Sequence, residues 1–275
     1  MRIIYRELGI ELTRRCNEKC EHCLRGPAET VDLSKDVIDA LFDNNYIYLI
    51  ENLLLSGGGP TMNGESLSYL VDKLIEKKVI VGSYRVIING TYYDERFGSA
   101  IRKLHNYVDS IGWNRKYNVM RSERFGSIGI SQDQFHKSYD PVVLEKIKEL
   151  PSTLYILGKE YKSSTILPYG RANDNDLSNR KKDYSSLFIT DDSFIILKYG
   201  EPGVEFKKQY ICANGNVCLD PNYPFKVLDE FNIGNVLDRP IPEMYGIEEE
   251  KEKILKQEKR WYLFFIFFWY VKLYL

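Results

Sequence analysis

Three of the five cysteines stand within eight residues, Cys16-Asn17-Glu18-Lys19-Cys20-Glu21-His22-Cys23. Three thiolates can hold three corners of an iron–sulfur cluster, and with no fourth cysteine nearby one iron keeps an open position where chemistry can occur. The same triplet also suits structural zinc, with His22 or a distant thiolate as fourth ligand, although zinc more often uses two separate C-x2-4-C hooks. The choice between them depends on what the rest of the chain places around the triplet.

The elements that would position it follow in order. Ile3 to Thr13 reads as a first strand that delivers the cysteine loop at its carboxyl end, where α/β sheets seat ligands. Ser34 is placed to cap a helix carrying Val37, Ile38, Leu41 and Phe42. Leu53 to Leu55 is a buried strand that breaks into Ser56-Gly57-Gly58-Gly59-Pro60-Thr61. A second amphipathic helix spans Ser66 to Lys78, and Val86 to Ile88 is a third strand ending in Asn89-Gly90-Thr91. Glu95 to His105 reads as helix, whereas 106–124 gives no clear pattern. Ser127 to Ser131 is a fourth strand leading into Ser131-Gln132-Asp133-Gln134-Phe135-His136. A helix at 141–150 and a strand at 153–157 follow, then Thr165 to Ala172 as a strand entering the turn Pro168-Tyr169-Gly170-Arg171-Ala172.

Read together, these stretches resemble the radical S-adenosylmethionine (SAM) family. The C-x3-C-x2-C spacing, with His22 in the aromatic position before the last cysteine, is the specific part, and the resemblance covers roughly Ile3 to Ala172. The loop after the second strand is similar to the family's Gly-Gly-Glu-Pro motif, with Gly59 where that motif has glutamate, so the backbone path remains and a side chain is missing. Asn89-Gly90-Thr91, Ser131-x-Asp133 and Gly170-Arg171 sit where the family has cofactor-binding segments. A zinc protein would have no reason to place such loops at successive strand ends.

The resemblance implies an α/β fold, a partial (β/α)6 barrel, with a small C-terminal β-hairpin/α extension. It implies a [4Fe-4S] cluster on Cys16, Cys20 and Cys23 and SAM on the open iron. His22 would lie beside adenine, the Gly57, Gly58, Gly59 and Pro60 backbone would take the amino group, and Asn89 would sit nearby. Ser131 and Asp133 would face the ribose, and Arg171 would fork onto the carboxylate. In that family an electron from the cluster breaks a carbon–sulfur bond of SAM and releases a 5′-deoxyadenosyl radical. A flavodoxin- or ferredoxin-type protein would donate that electron.

The expected division is a core over 1–183, a reduced SPASM-like region over 184–245, and a charged helix with an apolar aromatic tail over 246–275. The middle region shows a hairpin-like pattern from 187–189 to 194–197 and a second hairpin turning at Asn214-Gly215. Its similarity to the C-terminal domains of peptide-modifying members leans towards a peptide or protein substrate, though Cys212 and Cys218 are too few for an auxiliary cluster. Glycyl-radical activation, small-molecule modification, and a zinc or degenerate-cluster scaffold are the alternatives. The chain has 275 residues, 44% hydrophobic and 28% charged, with a formal net charge of −1, so no broad basic field favours nucleic acid. The charged first fifteen residues and reduced thiols fit the cytoplasm. Trp261 to Leu275 as a helix would reach about 22 Å, short of the roughly 30 Å hydrocarbon layer, so membrane contact by the tail is the lesser expectation.

Overall fold

Alternating burial along Arg2–Glu11 (β1) shows why this segment is a strand. Leu8 and Ile10 are fully buried against the helices, whereas Glu7 keeps partial exposure on the other face. The computed structural model describes residues 1–112, 125–136, 138–158, 162–190, 193–197 and 203–247. The expected charged helix at 248–260, the apolar tail, the Asp191-Asp192 turn and most of the unassigned stretch after 106 lie outside the described residues.

From β1 the chain passes through helix α1 (Lys35–Asp43) to β2 (Ile47–Ser56), helix α2 (Gly64–Glu76), β3 (Ile80–Ile88) and helix α3 (Glu95–Ile111). It continues through β4 (Gly126–Ser131), helix α4 (Pro141–Lys148) and β5 (Thr153–Leu157). The five strands pair in parallel in the order β1-β2-β3-β4-β5. Ser34 caps α1 by accepting from the Val37 N–H at 3.2 Å, and Asn63 caps α2 by accepting from the Ser66 N–H at 3.3 Å. Each such cap contributes about 1 kcal/mol. The capped helices lay Val37, Leu41, Leu67, Leu70, Val71 and Leu74 on one face of the sheet, against Leu53, Leu55, Val86 and Ile88. By strand alternation Asn52, Leu54, Ser83, Arg85 and Ser127 point to the opposite face.

Two expectations are corrected. The segment 165–168 is not a strand, so five strands rather than six form the parallel progression among the described residues. Thr165 donates its N–H to Lys162 at 2.8 Å, Pro168 has no N–H to offer a ladder, and Tyr169 turns back onto Leu167 at 2.9 Å. The short helix α5 (Gly170–Asp174) follows directly. The hairpin over 187–197 also forms differently. Ser185–Leu187 is a single 3-10 turn, and Phe194–Leu197 (β6) pairs instead with the following strand β7 (Gly203–Phe206). Phe188 and Ile189 stay exposed, whereas Phe194 packs 6.0 Å from the Phe206 ring, so burial against the sheet decides the pairing.

The remaining strands join the same sheet. β7 and then β8 (Gln209–Ile211) pair in parallel with the free side of β1, and β9 (Asn216–Cys218) and β10 (Gly234–Asn235) extend it. The expected hairpin at Asn214-Gly215 is thus β8–β9. Helices α6 (Phe225–Glu230) and α7 (Ile241–Met244) complete the described chain. No helix among the described residues is long and apolar enough to cross a membrane.

One packing detail carries a pH signature. His105 on α3 lies 3.0 Å from the Tyr84 hydroxyl and 4.6 Å from the Phe125 ring. Burial lowers its pKa below the usual 6.5 against a smaller opposing pull from Asp109. The folded chain therefore holds fewer protons here than the unfolded one, and stability falls as pH drops below about 6.5. Urea midpoints at neutral and mildly acidic pH should show this decline, and His105→Gln should flatten it; an undiminished decline in the variant would remove His105 as its cause.

Candidate functional site

The tip of β1 runs directly into the cysteine loop, and the segments after β2, β3 and β4 and helix α5 close on it. Thr13 and Arg15 offer their carbonyls to the glycine turn after β2, which donates the Gly58 N–H at 2.7 Å and the Gly59 N–H at 2.7 Å. That closeness explains the glycines. Gly57 has φ +146°, and a Cβ there would meet the Thr13 oxygen at 2.3 Å; at Gly58 it would meet the Arg15 oxygen at 2.4 Å. Gly59 differs, with φ −129° and only the flexible Met62 sulfur at 3.3 Å. Gly57→Ala should therefore cost about 1–3 kcal/mol in chemical denaturation. Gly59→Ala should stay within about 0.5 kcal/mol, and equal losses at both positions would refute the packing account.

With its N–H groups committed, the turn has the Gly57 and Gly58 carbonyls left over from the hydrogen bonds of the described residues. Carbonyls are what an ammonium group needs. Pro60 opens a one-turn 3-10 helix and is buried.

From β3, Asn89 donates its side-chain amide to Asn17 Oδ1 at 2.9 Å, and Asn17 Nδ2 donates to Thr91 Oγ1 at 2.9 Å. Asn89 thereby ties the loop after β3 to the cysteine loop. Arg171 on α5 donates its N–H to the Cys23 carbonyl at 2.9 Å, and Asn175 Nδ2 donates to the Glu21 carbonyl at 2.9 Å. Gly170, at φ +54°, makes this approach feasible, since a Cβ would meet the Leu24 oxygen at 2.4 Å. The Arg171 side chain bears on Cys16, whose thiol pKa it pulls down against the larger upward push of burial.

The three thiols are close enough to act on one another through their charge. Burial, followed by the Cys23 and Cys16 charges, pushes Cys20 up to about 12. Glu18 donates its N–H to the Cys16 sulfur at 3.4 Å. Mutually repelling, half-buried thiolates form a site that gains from a bound cation, which would displace their protons. This donor set fits an iron–sulfur cluster with three protein ligands.

His22 lies between two of the cysteines in sequence and turns towards β4. Its ring stacks on Phe135 at 4.8 Å and meets His136 edge-on at 4.9 Å. Its Nε2 is 3.5 Å from Asp133 Oδ2, and Asp133 Oδ1 is 2.9 Å from His136 Nδ1. The Asp133 side chain is only 3% exposed and also accepts the Phe135 N–H at 2.9 Å. Burial lowers the His22 pKa, which keeps the ring neutral. Ser131 is partly exposed as the last residue of β4.

Sequence reasoning missed the supports beneath the loop. Arg14, 1% exposed, donates to Glu11 at 3.0 Å, Glu29 at 2.9 Å and Asp229 at 2.7 Å. Arg25 donates to the Tyr210 hydroxyl at 2.8 Å and the Tyr223 carbonyl at 3.2 Å. Arginines at 14 and 15, directly after an apolar strand, were the available signal. Cys212 and Cys218 are buried free thiols 3.8 Å apart, set in the β8–β9 hairpin rather than in the cysteine loop.

No family model and no curated protein matches the sequence. Among solved structures, anSMEcpe with bound AdoMet and Cp18Cys peptide is similar at a TM-score of 0.53 and 15% identity, over 88% of this chain and 80% of that one. Its hexahistidine-tagged form with bound AdoMet gives 0.52 at 15% identity over the same shares. SuiB of Streptococcus suis bound to precursor peptide SuiA gives 0.44 at 13% identity, over 87% and 64%. The parallel sheet and its strand-end loops are therefore a fold that this chain shares with anSMEcpe.

Proposed function

We propose that the chain is a radical SAM enzyme that binds a [4Fe-4S] cluster and SAM at the carboxyl end of β1 and acts on a peptide or protein. The observation that supports this most is the convergence of three thiols with the loops after β2 and β3 and with Gly170-Arg171. When bound, the cluster and SAM supply a one-electron cleavage that yields a carbon radical for hydrogen abstraction. The chain's own residues hold and shield.

Cys16, Cys20 and Cys23 ligate iron. The Gly57 and Gly58 carbonyls accept from the amino group, Pro60 fixes the turn that presents them, and Gly59 leaves room where a side chain would stand. Arg171 forks onto the carboxylate. Neutral His22 offers its ring to adenine, oriented by Asp133, whose carboxylate also reaches His136. Ser131 faces the ribose. Asn89 keeps the cysteine loop seated on β3, and the closed strand tips exclude water from a reactive radical. A flavodoxin or ferredoxin supplies the electron, in the cytoplasm.

Zinc is the rival ligand, but its nearest nitrogen donor, His22, is turned onto Asp133. Anaerobic reconstitution with iron and sulfide should load about four irons per chain. With reductant, the loaded protein should convert SAM to 5′-deoxyadenosine. Stoichiometric zinc with no nucleoside formed would overturn the reading.

A further inference from the structure

The face of the sheet opposite α1 and α2 holds a cavity of about 280 Å³ whose lining includes Glu7, Asn52, Leu54, Ser83, Arg85 and Ser127. These residues fall in adjoining rows, because Glu7 pairs with Asn52 and Asn52 with Ser83, while Arg85 pairs with Leu54 and Ser127. Most polar groups here are matched. Arg6 binds Glu51 and Glu205, Asn52 donates to the Arg6 carbonyl at 2.9 Å, and Ser83 donates to Asn52 Oδ1 at 2.7 Å. Two are not. Among the described residues no hydrogen bond or ion pair engages the Glu7 carboxylate or the exposed Arg85 guanidinium, although both line the one cavity.

We infer that this cavity is a substrate-anchoring site in which Arg85 receives a carboxylate and Glu7 receives an N–H donor of the same ligand. A guanidinium forks onto carboxylate or phosphate alike. Here the unpaired Glu7 carboxylate lines the same cavity, so a monoanion fits better than a phosphate dianion. The volume lies just below the 300–1,000 Å³ of drug-sized ligand sites, which suits an acidic side chain of a peptide. Arg85 stands four residues before Asn89, about 13 Å down the strand from the cysteine loop at 3.3 Å per residue. Arg85 therefore grips the far end of a substrate whose other end reaches the strand tips. What the gripped molecule is for rests on the radical SAM reading; whether it is gripped does not.

Isothermal titration calorimetry on the full chain without cluster tests this with N-acetyl-glutamyl amide, N-acetyl-glutaminyl amide and inorganic phosphate. The glutamyl ligand should bind about tenfold or more tightly than the glutaminyl isostere. Arg85→Gln should abolish that preference and Arg85→Lys should retain part of it, with unchanged thermal midpoints showing that both variants fold. Equal binding of acid and amide, a preference that survives Arg85→Gln, or phosphate as the tightest ligand would overturn the inference. Because no cluster is needed, the result stands apart from whether SAM is cleaved.

Discussion

Cys20→Ala should leave a folded chain that neither takes up a cluster nor forms 5′-deoxyadenosine, with nucleoside production below about one hundredth of the unmodified level. The cost is large because a missing ligand removes a first bond to iron, where even supporting groups are worth about 10–100-fold in metal affinity. Folding should survive, since Cys20 is partly exposed and its packing contribution is small. Cys212→Ala is the control. Its thiol is buried in the β8–β9 hairpin, paired at 3.8 Å with Cys218. Iron content and nucleoside formation should both persist in that variant, even at some loss of stability. Equal loss of iron in the two variants would mean that the triplet is not the ligand set.

Arg14→Leu should be the most destabilising single change near the site, by about 3–5 kcal/mol in urea unfolding, as for a buried ion pair stripped of one partner. Burial by itself would lower the Arg14 pKa, but the hydrogen bonds and charges of Asp229, Glu11 and Glu29 outweigh it and hold the guanidinium firmly charged. Removing it strands Glu11, which is fully buried beside Arg14. The Ala213 N–H, 3.0 Å from Glu11 Oε2, cannot replace a full positive charge. Adding Glu11→Gln to the variant should recover part of the loss, because the orphaned charge goes with it. A loss below about 1 kcal/mol would show that the network is ornamental. The variant should also loosen the cysteine loop, since Arg14 joins the strand preceding Cys16 to Asp229 on α6.

The site was readable where it is local and hidden where it is not. Cysteine spacing, the glycine run after Leu55 and the Asn-Gly after Ile88 are contiguous strings whose backbone demands can be inferred residue by residue. The Asn17 bridge to Asn89 and Thr91 joins single polar residues far apart in the chain, and no periodicity marks it. The ion pair between Arg14 and Asp229 is more distant still. Misread strands share one cause: 165–168 and 187–189 are apolar enough to pass for strands, yet Pro168 lacks a donor and Phe188 stays exposed, meeting only the Phe231 ring edge-on. The pairing of β6 with β7 follows from where Phe206 lies, which only the assembled sheet determines. In the strand-end loops, His22 drew notice as a ring before the last cysteine, but its seat against Phe135 and Asp133 depends on β4.

The strand that carries the cysteines is flanked on one side by β2 and on the other by β7 and β8. During synthesis β2 emerges soon after β1, but the second neighbour is made only when most of the chain has left the ribosome. Until then β1 presents an open row of backbone donors and acceptors, the kind of edge on which chains stick to one another. Expression of residues 1–183 alone would make that condition permanent. A nascent or shortened chain thus carries its cysteine loop on a strand with an uncovered edge, and the later-made β7 and β8 act as its built-in cover.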